Sequence, residues 1–100
     1  MDLYLVRNHR GHAVWVAWED DEMRIWSHVQ NTGMFHMNQG LYLDFYFDHH
    51  NTYEPIEAAA AREAIRDGVG RFDEDIVGHL VKKYREDPDA RSLEDVLDGD

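Results

Sequence analysis

One hundred residues without a single cysteine suit one domain with one core, and they exclude disulfides, thiolate chemistry and Cys-type zinc sites. A formal net charge of −11 repels phosphate, so the expectation is no direct nucleic-acid contact and no docking on an anionic membrane. What remains is an acidic surface that meets a basic protein, or one kept for solubility, and the two Lys against eight Arg would also suit hydration in high salt.

The N-terminus carries an acid at Asp2 and an apolar run of only four residues, so it does not read as a signal peptide. No stretch approaches the roughly 20 apolar residues of a membrane helix, and the default expectation is a cytoplasmic protein. Residues 3–8 form a first apolar run, and His9-Arg10-Gly11 reads as a hairpin loop with Gly11 free to take positive φ. In the run 12–18, His12, Val14, Val16 and Trp18 alternate with Ala13, Trp15 and Ala17. Both faces are mostly apolar, as in a central strand covered on both sides or a strand at a homodimer seam. Residues 19–22 are a solvated turn. A third strand is expected over 23–29, with Met23, Ile25 and Val29 on one face and Arg24, Trp26 and His28 on the other. Residues 30–33 are a loop, and 34–39 show no clear period. Residues 41–48 then alternate as a fourth strand, Leu41, Leu43, Phe45 and Phe47 inward against Tyr42, Asp44, Tyr46 and Asp48 outward.

The second half changes period. Pro55 suits the first position of a helix over 55–67, with Ile56, Ala60, Ala64 and Ile65 on one side and Gly68 and Gly70 after its end. Asp73 caps a helix over 74–85 whose apolar stripe is Ile76, Val77, Leu80, Val81 and Tyr84. Acids open this helix and Lys82, Lys83 and Arg85 close it, as the helix dipole prefers. Asp87-Pro88-Asp89 stops it. Ser92 can cap a last short helix bearing Leu93, Val96 and Leu97, inside a tail where six acids face only Arg91.

The expected fold is α+β: a three- or four-stranded antiparallel meander, two helices packed on one face of it, and a short acidic C-terminal helix or tail. One domain would span 1–88, with strands in 1–50 and helices in 55–86, and 89–100 would be the acidic segment. Phe45 and Leu80 are expected in the core.

The aromatic residues outnumber what one small core can bury, and Trp and Tyr are favoured interface anchors. Trp15, Trp26, Tyr42 and Tyr46, with Leu93, Val96 and Leu97 of the tail, are therefore the candidate partner-binding residues. The expected function is a non-catalytic interaction module that binds a basic protein, as a homodimer or in a hetero-complex and with no cofactor. Its size and acidity are in the style of small inhibitors, antitoxins and immunity proteins. The alternative is a metal-binding protein or metal-dependent enzyme. His36, Asp48, His49 and His50 offer imidazole and carboxylate ligands for zinc or manganese, though their spacing matches no established metal motif. The only serines, Ser27 and Ser92, lack a nucleophile-elbow context, so no catalytic residue is assigned. The helix pair has a loose helix-turn-helix look, but its second helix opens on Asp73, Glu74 and Asp75, which would push a phosphate backbone away.

Overall fold

The computed structural model describes residues 2–97 and shows an α+β protein built on one antiparallel sheet of six strands, with four helices. Strands β1 (Asp2–Arg7), β2 (Ala13–Glu19), β3 (Ile25–Val29) and β4 (Met34–Met37) form the meander, each antiparallel to the next. Turn chemistry sets the first two hairpins. Asn8 Oδ1 accepts from the amides of Arg10 and His12, and Gly11 sits at φ 80°. Asp20 Oδ1 accepts from the amides of Glu22 and Arg24, while its Oδ2 accepts from Arg24 Nε at 2.6 Å and Trp26 Nε1 at 2.9 Å. Met23, expected on a strand face, takes φ 64° in this turn and is exposed.

The fourth strand expected over 41–48 is not a strand. Asn38 caps a helix there, its side chain accepting from Leu41 N at 3.0 Å. Helix α1 (Gln39–Leu43) runs directly into a π-helical turn (Asp44–Asp48), closed by a bond from His49 N to Asp44 O at 2.8 Å. Every position of 41–47 except Asp44 is apolar or aromatic, so an apparent period of two carries no information about period. The faces change accordingly. Leu43 and Phe47 point to solvent, Phe45 is only half-buried, and Asp44 turns inward. Its carboxylate accepts from His50 N at 2.6 Å, Asn51 N at 3.2 Å and the Tyr53 hydroxyl at 2.6 Å. Asp44 thereby fixes the chain's exit from the π turn, where His49 takes φ 54°.

That exit leads into β5 (Thr52–Pro55), which pairs with β1. Pro55 thus ends an edge strand instead of opening a helix, and α2 (Ala58–Arg66) begins three residues later. Helix α3 (Glu74–Arg85) starts at the expected cap, Asp73, whose side chain accepts from Asp75 N. Its backbone kinks at Val77, leaving Ile76 exposed and Leu80 half-buried, and only Val81 of the expected stripe is fully covered. Strand β6 (Arg91–Ser92) pairs with β4, and α4 (Leu93–Leu97) closes the described chain. The sheet order is β5-β1-β2-β3-β4-β6.

The helices do not share one face. On one side Leu3, Val16, Trp26 and Phe35 of the sheet pack with Ala61 of α2 and with Val96 and Leu97 of α4. On the other, Val6, Ala17 and Ile25 pack with Leu41 of α1, and half-buried Tyr4, Phe45 and Tyr53 extend that cluster. Phe72, just before α3, meets Trp15 on this second side, and Tyr84 of α3 meets His36. The apolar character of both faces of β2 is therefore satisfied within the chain. Residues 91–97 of the expected acidic segment supply β6, which pairs with β4, and α4, which packs on the cluster of Leu3, Trp26 and Phe35. Asp98 and Asp100 of the expected acidic tail lie outside the described residues. No helix among the described residues is long and apolar enough to cross a membrane.

Candidate functional site

The seven candidate partner-binding residues separate by burial. Trp26, Val96 and Leu97 are core residues, and Leu93 packs against the same cluster. Trp26 also donates its indole N–H to Asp20, with the guanidinium groups of Arg24 and Arg91 at 5.6 and 5.7 Å from its ring. Trp15 is half-buried against Phe72, with ring centroids 5.5 Å apart. Tyr42 and Tyr46 are half-buried and share a helical segment with exposed apolar side chains.

Their neighbours on the same helical segment are Leu43, 45% exposed, and Phe47, 66% exposed, four residues apart and so on one stripe. The Tyr42 ring lies 5.1 Å from Tyr46 and 6.3 Å from Phe47. The sequence reading placed Leu43 and Phe47 inward; the helical period and the Asn38 cap are what would have found them. Behind this stripe, Asp2 of β1 stands directly opposite Glu19 of β2. Like charges so placed repel. No lysine or arginine among the described residues ion-pairs with either acid. The Tyr46 hydroxyl donates to Glu19, and its pKa is pushed up to about 12, by burial first and then by that carboxylate. The assembly is an aromatic, partly exposed face with two acids, Asp2 and Glu19, at its edge.

The proposed metal ligands are not brought together. Asp48, His49 and His50 are exposed around the π turn, with His50 Nδ1 3.9 Å from Asp44. His36 is buried in β4, with Nε2 2.7 Å from Thr32 Oγ1 and Nδ1 2.9 Å from Asp87 Oδ2. Among the described residues no three His, Asp or Glu side chains converge as a metal would need.

The Thr32-His36-Asp87 chain has the order of a nucleophile, a base and an orienting carboxylate. The hydroxyl is nonetheless committed to a turn: it lies 3.1 Å from Val29 O and accepts from Met34 N at 3.2 Å. Its single proton goes either to Val29 O or, with the Nδ1–H of a neutral His36 on Asp87, to His36 Nε2. The chain is a latch that ties the segment after α3 to β4, with the Tyr84 ring tilted at 39° and 4.7 Å from the imidazole. Burial alone would raise the Asp87 carboxyl, but the bonds from His36 and the Asp89 amide, with the charge of His36, together outweigh it and hold Asp87 below the ordinary range. Neither Thr32 nor Asp87 was singled out from the sequence, because nothing local marks a contact across 51 residues.

One further histidine is unusual. His28 of β3 is 1% exposed, and neither ring nitrogen has a hydrogen-bond partner. Burial depresses its pKa below the ordinary 6.5, opposed in part by the nearby Gly33 backbone, which lies outside good hydrogen-bond geometry, and aided by neighbouring His36. The unfolded chain therefore takes up a proton at a pH where the folded chain does not. Stability should be fully present above about pH 6.5 and fall as pH drops toward the depressed native value, by up to about 1.4 kcal/mol per pH unit. Asp20, Asp44 and Asp87, all held below their ordinary values, lose their contributions only at lower pH. His28→Leu should flatten the upper part of that fall. Urea titrations of both proteins at a series of pH values read this directly, and parallel curves through that window would exclude His28 as the cause.

Comparison with family models, curated proteins and solved structures gives no match to this chain.

Proposed function

We propose that the protein is a non-catalytic interaction module that docks on a basic protein partner through the stripe Leu43 and Phe47 and the adjoining Tyr42 and Tyr46. The observation that carries this reading is the pairing of two exposed large apolar residues with an acid pair, Asp2 and Glu19, that ion-pairs with no lysine or arginine among the described residues. Aromatic anchors beside charge of one sign suit a partner of the opposite sign: charge speeds and orients the encounter, and burial of the rings holds it. The overall charge of −11 acts in the same direction. Small inhibitors and immunity proteins that meet basic toxins or nucleases work on these terms.

Phe47→Asp tests the reading. The side chain is on the surface, so the fold should survive, while removal of a central anchor should cost about 2 kcal/mol of binding, close to thirtyfold in affinity. Proteins retained by the parent chain from its own cells would be purified, and their affinity for parent and variant measured by calorimetry at two salt concentrations. A basic partner that binds the parent more weakly in high salt and loses about thirtyfold to Phe47→Asp is the expected result. If every purified candidate binds parent and variant alike, this face is not the docking surface.

A further inference from the structure

Met37 is 45% exposed at the end of β4 and lines three depressions; that of about 420 Å³ is bordered by Arg24, Trp26, Asp89 and Arg91, and the remaining two each carry one cation. One, of about 180 Å³, runs toward Tyr42 of α1 along Asn38 and Gln39. The other, of about 520 Å³, runs toward α3, with Leu80, Tyr84 and Pro88 as its remaining apolar lining. Lys83, Glu86 and Asp87 supply its charge, a net of one negative. Arg24, which borders the smaller depression, already has its charge matched by Asp20 at 2.6 Å. Met37 is common to both depressions, one reaching Tyr42 and the other the Asp87 carboxylate.

That carboxylate is held in place and still has capacity. Asp87 Oδ2 is bonded to His36 Nδ1 at 2.9 Å, and Oδ1 accepts from Asp89 N at 2.9 Å. Each oxygen keeps a second lone pair, and the side chain is 24% exposed. Glu86 beside it is exposed and has no ion pair among the described residues. Apolar walls followed by acids at the far end match the build of one type of group: a long aliphatic stem with a cationic head.

We infer that the groove from Met37 to Asp87 takes an arginine or lysine side chain of the basic partner, its stem against Met37, Leu80 and Tyr84 and its head on Asp87 and Glu86. The inference rests on the docking proposed above and extends it to a second, more specific contact. Because Asp87 also holds His36, an arriving cation shares the carboxylate with the imidazole, and occupancy should be visible at the His36 ring.

The probe is the tetrapeptide amide Ac-Leu-Arg-Arg-Leu-NH2, with Ac-Leu-Glu-Glu-Leu-NH2 as its charge-reversed control, titrated into the isotope-labelled full chain. The expected result is saturable amide shifts at Met37, Leu80, Tyr84 and Asp87, together with a change at the His36 ring nitrogens, for the basic peptide only. Met37→Lys places a competing cation at the mouth of the groove on an exposed position, and should weaken binding by about tenfold or more with the fold intact. Asp87→Asn should do the same and should also abolish the response at His36. Shifts confined to Tyr42 and Phe47 would overturn the groove while leaving the docking face standing. Absence of saturation, equal binding of the acidic peptide, or indifference to Met37→Lys would also overturn it. The Phe47→Asp measurement with a purified partner judges the docking face independently.

Discussion

A chain ended after Ser92 is expected to lose its cooperative folding transition. The segment removed contains Val96 and Leu97, both buried against Leu3, Trp26 and Phe35, and Leu93, packed at the edge of that cluster. Deleting one buried Leu side chain to Ala costs about 2–5 kcal/mol. Two such residues and the rest of α4 together therefore approach the whole stability of a domain, about 5–15 kcal/mol. Their loss also uncovers one side of the Trp26 and Phe35 rings. Leu97→Ala alone should lower stability by about 3 kcal/mol, and Glu94→Ala, on the exposed face of the same helix, by less than about 0.5 kcal/mol. Denaturant curves of the three variants check the order. A truncated chain that unfolds with the parent's midpoint would mean that α4 is a dispensable tail, as its acidity alone suggested.

Gly70→Ala should be nearly as damaging, by a different cause. Gly70 sits at φ 84°, in the left-handed region where a side chain is strained, and a Cβ there would lie 2.3 Å from the His28 carbonyl oxygen. That oxygen belongs to the central strand β3, and Gly70 O accepts from Gln30 N at 3.0 Å at the strand's end. Neither backbone can yield without breaking this bond or the pairing of β3 with β4. A cost of about 3 kcal/mol or more is expected, from backbone strain plus overpacking. Gly68→Ala is the control: its φ is 98°, but no atom lies within 4 Å of the added Cβ, so it should cost only the strain. Equal thermal midpoints for the two variants would show that the link from α2 to α3 does not press on β3 as described.

Legibility in the sequence followed how local the cause was. The hairpin at Gly11, the Asp73 cap and the span of α3 were readable because turn and cap chemistry lies within a few residues. Residues 41–47 misled because, with apolar groups almost everywhere, alternation exists at any period. The decisive signal was a single Asn38 side chain. Strand β5 was missed because Thr52–Pro55 has no pattern of its own and is a strand only by pairing with β1. Both faces of β2 were correctly read as apolar, but the helices that cover them come from opposite sides of the sheet, a matter of topology that periodicity does not encode. The candidate site divided in the same way. Tyr42 and Tyr46 were named for their residue type and do lie on the exposed aromatic face. Trp26, Val96 and Leu97 were named for the same reason and are core, since the aromatic excess was counted against one helix-covered face and the chain has two. Asp87 and Thr32 meet His36 only in three dimensions.

Docking of a basic partner on the α1 and π-turn face is tested most directly by mapping amide shifts in the isotope-labelled protein as the purified partner is added. The expected footprint covers residues 42–47 with Asp2 and Glu19, fades as salt is raised, and disappears with Phe47→Asp. A footprint on α2 and α4, across the sheet from that face, would contradict it.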